Sequence, residues 1–282
     1  MRSASLASML AADGNKVKTF GISCAGLRES ESVCICENID DAVSDCDLAV
    51  GPIPFSCDGG TKLNAPLYDK EILVSSIAGS LGNIKTFIAG KIPEAFKVEA
   101  AARGVAVADI LERDDFAVLN SIPTAEGTVQ IAMEELPATV WNMKVLVLGA
   151  GRVGRTLAQL LKVMGADVTV AVRKGKDAAW TVSNGMKYCG YNFKDGNISD
   201  FRLICNTVPA VVLDKTALDC VKKNSLIIDL ASDSGGVDYC YALSNNIKVI
   251  HALSLPGKVA PETAAENIKR VIYNIIAEDK KE

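Results

Sequence analysis

Lys144-Val-Leu-Val-Leu-Gly-Ala-Gly-Arg-Val-Gly154 is the stretch that decides the fold. Lys144–Leu148 is a short, β-branched, apolar run, as expected of a strand buried on both faces. A glycine turn, Gly149-Ala-Gly-Arg-Val-Gly154, follows at once. Val153, Leu157, Leu160, Leu161 and Met164 then recur at helical spacing until Gly165, placed where helices end. Val168–Val172 reads as the next strand. A GxGxxG alone is a weak signal, but one that leaves a strand and opens a helix inside a βαβ unit is a strong one. The three glycines have separate tasks. Gly149 permits the tight turn, Gly151 lets a pyrophosphate approach the backbone, and Gly154 allows helix and strand to pack closely. Arg152 and Val153 begin the helix whose free N–H groups would hold the anion.

The second strand bears on the cofactor. A dinucleotide with a free ribose 2′-hydroxyl is usually met by Asp or Glu about 20 residues past the glycines. Here the strand ends Ala171-Val172-Arg173-Lys174, with two cations and no acid. A carboxylate there would repel a 2′-phosphate, whereas Arg173 can bind it bidentately. NADP is therefore expected rather than NAD.

Working outward, strands are expected at Leu203–Asn206, Leu226–Leu230 and Lys248–Ala252, with helices near Ala178–Cys189, Leu213–Val221 and Val237–Asn245. That alternation argues for a doubly wound parallel sheet, where ligands bind beyond the C-terminal strand ends. Asn206-Thr-Val-Pro209 and the Leu230 and Ser232 positions of Asp229-Leu-Ala-Ser232 then join the cofactor set, near the nicotinamide half. The first 115 residues look similar in kind. Strands are expected at Val17–Gly21, Val33–Cys36, Leu48–Val50, Leu73–Ser75, Lys85–Ala89 and Val105–Asp109.

The fold class is thus α/β, with two Rossmann-like, doubly wound parallel-sheet domains and a cleft between them. Residues 1–118 form the substrate domain, with a cleft-facing loop at 51–66. An interdomain helix at 119–141 shows an apolar face at Val129, Ala132, Met133 and Leu136. Residues 142–256 bind NADP, and a C-terminal helix within 257–282 (Ala264, Ile268, Val271 and Ile275 on one face) packs at the domain junction.

An internal echo carries further information. Leu6-Ala-Ser-Met-Leu10, Gly14 and Val17 repeat as Leu157-Ala-Gln-Leu-Leu161, Gly165 and Val168, always 151 residues apart. The strand and glycine turn of the second copy would fall before Met1 in the first. The first domain is therefore expected to lack its first strand, roughly eight to ten residues. A first domain that simply has no strand there is the alternative.

Composition narrows the classes. A net charge of −4 gives no footprint for nucleic acid or anionic membrane. No apolar stretch reaches the length of a membrane span, and the chain is read as soluble and cytoplasmic. The nine cysteines are odd in number and have no CxxC spacing, which argues for reduced thiols rather than a disulfide framework. With a single histidine, His251, no metal site is expected.

The loop motifs resemble the A subunits of dipicolinate synthase, from spore-forming bacteria. The resemblance rests on Cys205-Asn-Thr-Val-Pro209, Ile228-Asp-Leu-Ala-Ser232 with Gly235-Gly-Val-Asp238, and His251-Ala-Leu-Ser-Leu-Pro-Gly-Lys-Val-Ala-Pro-Glu-Thr263. In the first half it rests on Gly51-Pro-Ile-Pro54, Asp58-Gly59, Leu63-Asn-Ala-Pro66 and Ile122-Pro-Thr-Ala-Glu-Gly127. Two departures stand out: of the family's opening Gly-Gly-Asp-x-Arg turn only Arg2 is present, and Cys57 stands where the family tends to have a basic residue. The resemblance implies oxidation of dihydrodipicolinate, a cyclic imine dicarboxylate, to the aromatic pyridine dicarboxylate during sporulation, with hydride passing to NADP. It also implies a partner, a flavoprotein-like B subunit; a homo-oligomer is expected as well. For the two substrate carboxylates the candidates are Arg2, Asn64, the Asp58–Gly60 loop and Lys258, and for catalysis Lys258, Glu126 and Asp238. The single histidine, His251, stands at a strand end, which makes the His–acid relay of a 2-hydroxy acid dehydrogenase, with its carboxylate-binding Arg, difficult to arrange, whereas aromatisation needs only a modest base. Two alternatives stay open: another NADP-dependent dehydrogenase of a small amino or hydroxy acid, and an NADP-binding subunit without activity of its own.

Overall fold

The computed structural model describes residues 1–22, 27, 30–56, 58–66, 68–82, 84–193, 197–232 and 235–279. Cys24 and Cys57 lie outside the described residues. Two compact units share the chain, one of residues 1–119 with 260–282 and one of residues 120–259.

The first unit opens with α1 (Arg2–Ala12) and β1 (Val17–Thr19), followed by β2 (Val33–Ile35), α2 (Ile39–Val43) and β3 (Leu48–Val50). Then come α3 (Val74–Ser80), β4 (Thr86–Ala89), α4 (Glu94–Ala102) and β5 (Ala106–Asp109). The strand expected at Leu73–Ser75 is instead the start of α3. Leu73 makes a single antiparallel bridge with Lys62 before the chain turns helical. β1 pairs in parallel with β2, and β3, β4 and β5 form a second parallel sheet.

The long helix α5 (Asp114–Glu135) crosses the unit boundary and carries Pro123 in its interior. Proline has no N–H to offer four residues back. The Leu119 carbonyl thus left over accepts a hydrogen bond from the buried Asn267 Nδ2 at 3.3 Å. Val129, Ala132 and Leu136 face the second unit's core as their spacing predicts, but Met133 is exposed, so the apolar stripe is narrower than expected.

The second unit runs β6 (Lys144–Leu148), α6 (Arg152–Val163), β7 (Asp167–Ala171), α7 (Gly175–Ser183) and β8 (Lys187–Cys189). It continues with β9 (Leu203–Asn206), α8 (Lys215–Asp219), β10 (Leu226–Asp229), α9 (Tyr239–Ser244), β11 (Lys248–His251) and α10 (Leu255–Val259). The helix expected over Ala178–Cys189 starts earlier and stops at Ser183. Gly185 then turns the chain into β8, an edge strand. All six strands are parallel, in the order β11-β10-β9-β6-β7-β8. Counted from β6 this is 3-2-1-4-5-6 in reverse, the doubly wound dinucleotide-binding order. The central strands β6, β9 and β10 are apolar almost throughout and buried on both faces, as helix-covered parallel strands must be.

The last helix, α11 (Pro261–Asp279), belongs to the first unit. Ala264, Ile268, Val271 and Ile275 are buried, and the helix packs against Leu6, Met9 and Leu10 of α1. Lys269 and Tyr273 both reach Asp13 at 2.9 Å, closing the α1 end. α1 and β1 repeat the α6–β7 step, as the echo predicts. In the second unit β6 joins β7 and β8 to β9, β10 and β11. In the first unit the matching groups are separate sheets, with no strand bonded between them among the described residues.

Candidate functional site

The strand order of the second unit reverses at β6 and β9, and the glycine turn stands at that switch point. Gly149 adopts φ 98°, a left-handed conformation that favours glycine, and its N–H donates to the Ala171 carbonyl at 3.0 Å. A Cβ on Gly149 would sit 2.7 Å from Thr207 Oγ1, and one on Gly154 would sit 2.2 Å from the Gly149 carbonyl oxygen. Both glycines are therefore demanded by close packing. Gly151 differs: it caps α6 with extended backbone, and a Cβ there would meet nothing within 4 Å. The space in front of Gly151 is open, Arg152 and Val153 begin the helix, and its first turn holds no acid. This cradle fits a dinucleotide pyrophosphate on shape and on charge, since the N–H groups at a helix start attract anions.

One side chain that holds the turn escaped the motif reading. Arg155 donates from Nε to the Ala150 carbonyl at 2.9 Å, pairs with Asp177 at 2.9 Å and stacks over Trp180 at 4.7 Å. No spacing rule marks it; only the neighbouring α7 explains it.

Beyond β7, Arg173 and Lys174 are both exposed, and Lys174 is the residue from which α7 starts. The pairing of β7 with β8 extends one step, from Val172 N–H to the Cys189 carbonyl at 2.9 Å. The Arg173 guanidinium then lies 5.8 Å above the Tyr191 ring.

Past β9 the backbone is locked. Thr207 donates from both N and Oγ1 to the Leu148 carbonyl, at 3.0 and 2.8 Å, tying this loop to the glycine turn. The fully buried Asn206 accepts from Val208 N–H at 3.1 Å and donates to Asp229 Oδ1 at 2.9 Å. Asp229 is itself fully buried and accepts three more bonds: Ala231 N–H at 3.0 Å, Gly236 N–H at 2.7 Å and the Tyr239 hydroxyl at 2.6 Å. Burial raises the Tyr239 pKa above its ordinary value, and the bond to the Asp229 carboxylate adds to the effect. His251 packs 5.3 Å from the Tyr239 ring and bonds through Nε2 to the Ala231 carbonyl at 2.9 Å, so this imidazole is held by backbone. Pro209 and Ser232 are exposed, while Val208 and Leu230 are half-buried beside them. Asp229 and Tyr239 were missed as site residues, although Asp229 stands in a quoted motif.

The three candidate catalytic groups fall apart into two places. Asp238 caps α9, its carboxylate accepting from Tyr241 N–H at 3.0 Å, which commits it to the helix start. Glu126 is exposed in mid-α5, and Lys258 is exposed on the short helix α10. α5 and α10 meet between them: a Cβ on Gly127 would lie 3.1 Å from Val259 and 3.3 Å from Leu255. Two of the resembling motifs are thus in contact.

In the first unit, Arg2 begins α1 and donates from its guanidinium to the Ile53 carbonyl at 2.6 Å. Burial lowers its pKa from the usual arginine value. It borders a small cavity with Leu6, Val50 and Gly51, at the C-terminal end of β3. Asn64 donates to the Pro54 carbonyl at 3.0 Å, on the same loop, which contains a cis Ile53–Pro54 bond. Asp58 serves the loop itself. It accepts from Ser56 Oγ at 2.7 Å and from the Thr61 and Lys62 N–H groups at 3.1 and 3.0 Å. The Lys62 N–H, then Ser56, hold its carboxyl below the usual range. The Gly60 N–H is likewise taken, by Ser56 Oγ at 3.0 Å.

No group of three or more metal-ligating side chains occurs among the described residues, and no helix there is long and apolar enough to cross a membrane.

Residues 1–111 match the model of the N-terminal domain of the dipicolinate synthase A subunit. The A subunit of dipicolinate synthase from Bacillus subtilis (strain 168) is 37% identical over 169 residues, which span 60% of this chain and 57% of that protein. The crystal structure of the A chain of Bacillus subtilis dipicolinate synthase superposes with a TM-score of 0.87 at 28% identity, covering 100% of this chain and 94% of that one. The corresponding structure from Bacillus halodurans gives 0.87 at 26% identity, covering 98% and 94%. The resemblance to the A subunit of dipicolinate synthase, first carried by loop motifs, is thereby borne out, and so are the Rossmann-like parallel sheets.

Proposed function

We propose that this chain oxidises dihydrodipicolinate to dipicolinate, with NADP as the hydride acceptor, in spore formation. The observation that carries the reading is the open cradle at Gly151 on the switch point of a doubly wound sheet, in a chain similar to the A subunit of dipicolinate synthase. The absence of an acid at the end of β7, with Arg173 exposed in its place, supports NADP over NAD.

The reaction moves one hydride and one proton off a dihydropyridine ring, and the product's aromaticity drives both. NADP supplies the acceptor for the hydride when bound. Gly149–Gly154 hold the pyrophosphate, Arg173 and Lys174 take the 2′-phosphate, and the Asn206–Pro209 loop with Leu230 and Ser232 borders the nicotinamide half. Thr207 ties that loop to the glycine turn and the Asp229 knot holds its start, so a bound nicotinamide would meet a fixed wall. Arg2 and Asn64, gathered on the 51–54 loop, are assigned to substrate carboxylates. Lys258 and Glu126, on the helices that meet at Gly127, are assigned to charge and proton handling; Asp238 and Asp58 are left to their structural bonds. The chain works with a B subunit, which the name of its relatives suggests.

The test is turnover. Dihydrodipicolinate is generated in situ and offered with NADP or NAD, with and without a B subunit, while NADPH and dipicolinate absorbance are followed together. Equal rise of both products, with NAD a poor substitute, is the expected result. Binding of NADP with no turnover under any condition refutes the oxidation.

A further inference from the structure

Resting on the NADP reading above, we propose that Tyr191 is a selectivity residue: a pedestal that holds the Arg173 guanidinium in place for the 2′-phosphate. An exposed arginine on a loop has many rotamers, and freezing it costs binding free energy each time an anion arrives. Here the cost is met in advance. Arg173 and Tyr191 follow the adjacent parallel strands β7 and β8, and the Val172–Cys189 bond carries the pairing to the last residue before each loop. The guanidinium lies 5.8 Å over the Tyr191 ring, within cation–π range. The ring cannot drift, because it stands edge-on to Phe193 at 6.2 Å, and Phe193 is buried in the core cluster of Leu146, Leu148 and Ile204.

A second feature of the same corner points the same way. The acid nearest in sequence, Asp177, sits in the first turn of α7, where its charge would repel a 2′-phosphate. It is turned onto Arg155 at 2.9 Å, which neutralises it. Among the described residues no carboxylate pairs with Arg173, whose charge stays available for a ligand. The corner therefore presents one oriented cation and a screened acid, an arrangement with no use for a 2′-hydroxyl.

The experiment measures dissociation constants of NADP and NAD by calorimetry on the full chain and on Arg173→Gln, Tyr191→Leu and Tyr191→Phe. The expected result is a tenfold or greater loss for NADP in Arg173→Gln, with NAD changed less than twofold. Tyr191→Leu should lose about two- to fivefold for NADP and nothing for NAD, the size of a partly exposed cation–π contact. Tyr191→Phe keeps the ring and should match the wild type. An equal loss for both cofactors in Tyr191→Leu, or no loss at all, overturns the pedestal while leaving the Arg173 assignment standing. A wild type that does not favour NADP, or an Arg173→Gln that loses both cofactors alike, overturns the NADP reading and the pedestal with it.

Discussion

Replacing Asp229 by asparagine tests the buried knot at the ends of β9 and β10. The carboxylate accepts two bonds on each oxygen: Asn206 Nδ2 and Ala231 N–H on Oδ1, Gly236 N–H and the Tyr239 hydroxyl on Oδ2. A carboxamide keeps one oxygen and turns the other into a donor. If the nitrogen takes the Oδ1 place, it faces two fixed N–H donors. If it takes the Oδ2 place, the Tyr239 hydroxyl can rotate to accept, and only Gly236 N–H is orphaned. The second orientation wins, and its cost can be worked out. An orphaned buried N–H costs about 1–3 kcal/mol, and each remaining bond to a neutral rather than charged acceptor weakens by about 1 kcal/mol. Relief of the buried charge offsets part of this. The expected net loss is about 2–4 kcal/mol, which at a urea slope of about 2 kcal/mol/M lowers the midpoint by about 1–2 M. Both tryptophans, Trp141 and Trp180, lie in the second unit, so their fluorescence reports the unfolding of that unit. Tyr239→Phe, which removes one bond and orphans nothing on the backbone, should cost about half as much. An Asp229→Asn midpoint within about 0.3 M of the wild type, at about the same slope, would refute the reasoning; so would a Tyr239→Phe loss as large as that of Asp229→Asn.

The glycines make a contrasting pair: Gly151→Ala should leave the urea midpoint unchanged, since its Cβ meets open space, yet lower NADP affinity at least tenfold in calorimetry. Gly154→Ala should lose both, because its Cβ would press to 2.2 Å on backbone that cannot yield. Gly165, at φ 87° with Trp141 2.2 Å from its would-be Cβ, should cost about 1–2 kcal/mol on change to alanine, seen as a lowered tryptophan-monitored midpoint with altered Trp141 emission. In the first unit, Arg113 bonds Asp115 and Glu278, and it holds the Asp115 carboxyl down at about 2, helped by Asn274. A carboxyl depressed on folding stabilises fully above its unfolded pKa of about 4 and less as pH falls through the folded value. The stability gap between wild type and Asp115→Asn, followed by circular dichroism in urea, should therefore be constant above pH 5 and shrink between pH 4 and pH 2; a gap that widens on acidification contradicts the pairing.

Much of this molecule is written in local sequence. A β-branched run, a glycine turn and a helical repeat name β6, the cradle and α6, because burial on both faces and close backbone approach each restrict residue type directly. The buried face of α11 is legible for the same reason, from the helical spacing of Ala264, Ile268, Val271 and Ile275. Arg173 after β7 is a matter of charge, and charge is visible in a string of letters. The misreadings arise where a local pattern serves two structures. Leu73–Ser75 has strand composition but opens α3, and Ala178–Cys189 holds a helix and a strand divided at Asn184-Gly185. Met133 fits a helical stripe yet faces solvent, since the width of a buried face depends on what packs against it.

What only the tertiary structure decided is the duty of each polar side chain. In the sequence Asp238 is a candidate for catalysis and Asp58 for substrate binding, but their oxygens already serve neighbouring N–H groups. Asp229 reads as one acid at a strand end, yet it receives donors from Asn206, Ala231, Gly236 and Tyr239, spread over 34 positions of chain. Arg155 and Tyr191 likewise acquire their roles from α7 and from Arg173 across a strand pair. Apolar burial and glycine turns leave a signature because they constrain residue type at their own positions. A hydrogen bond or ion pair constrains a distance between two residues, and that distance exists only once the chain has folded.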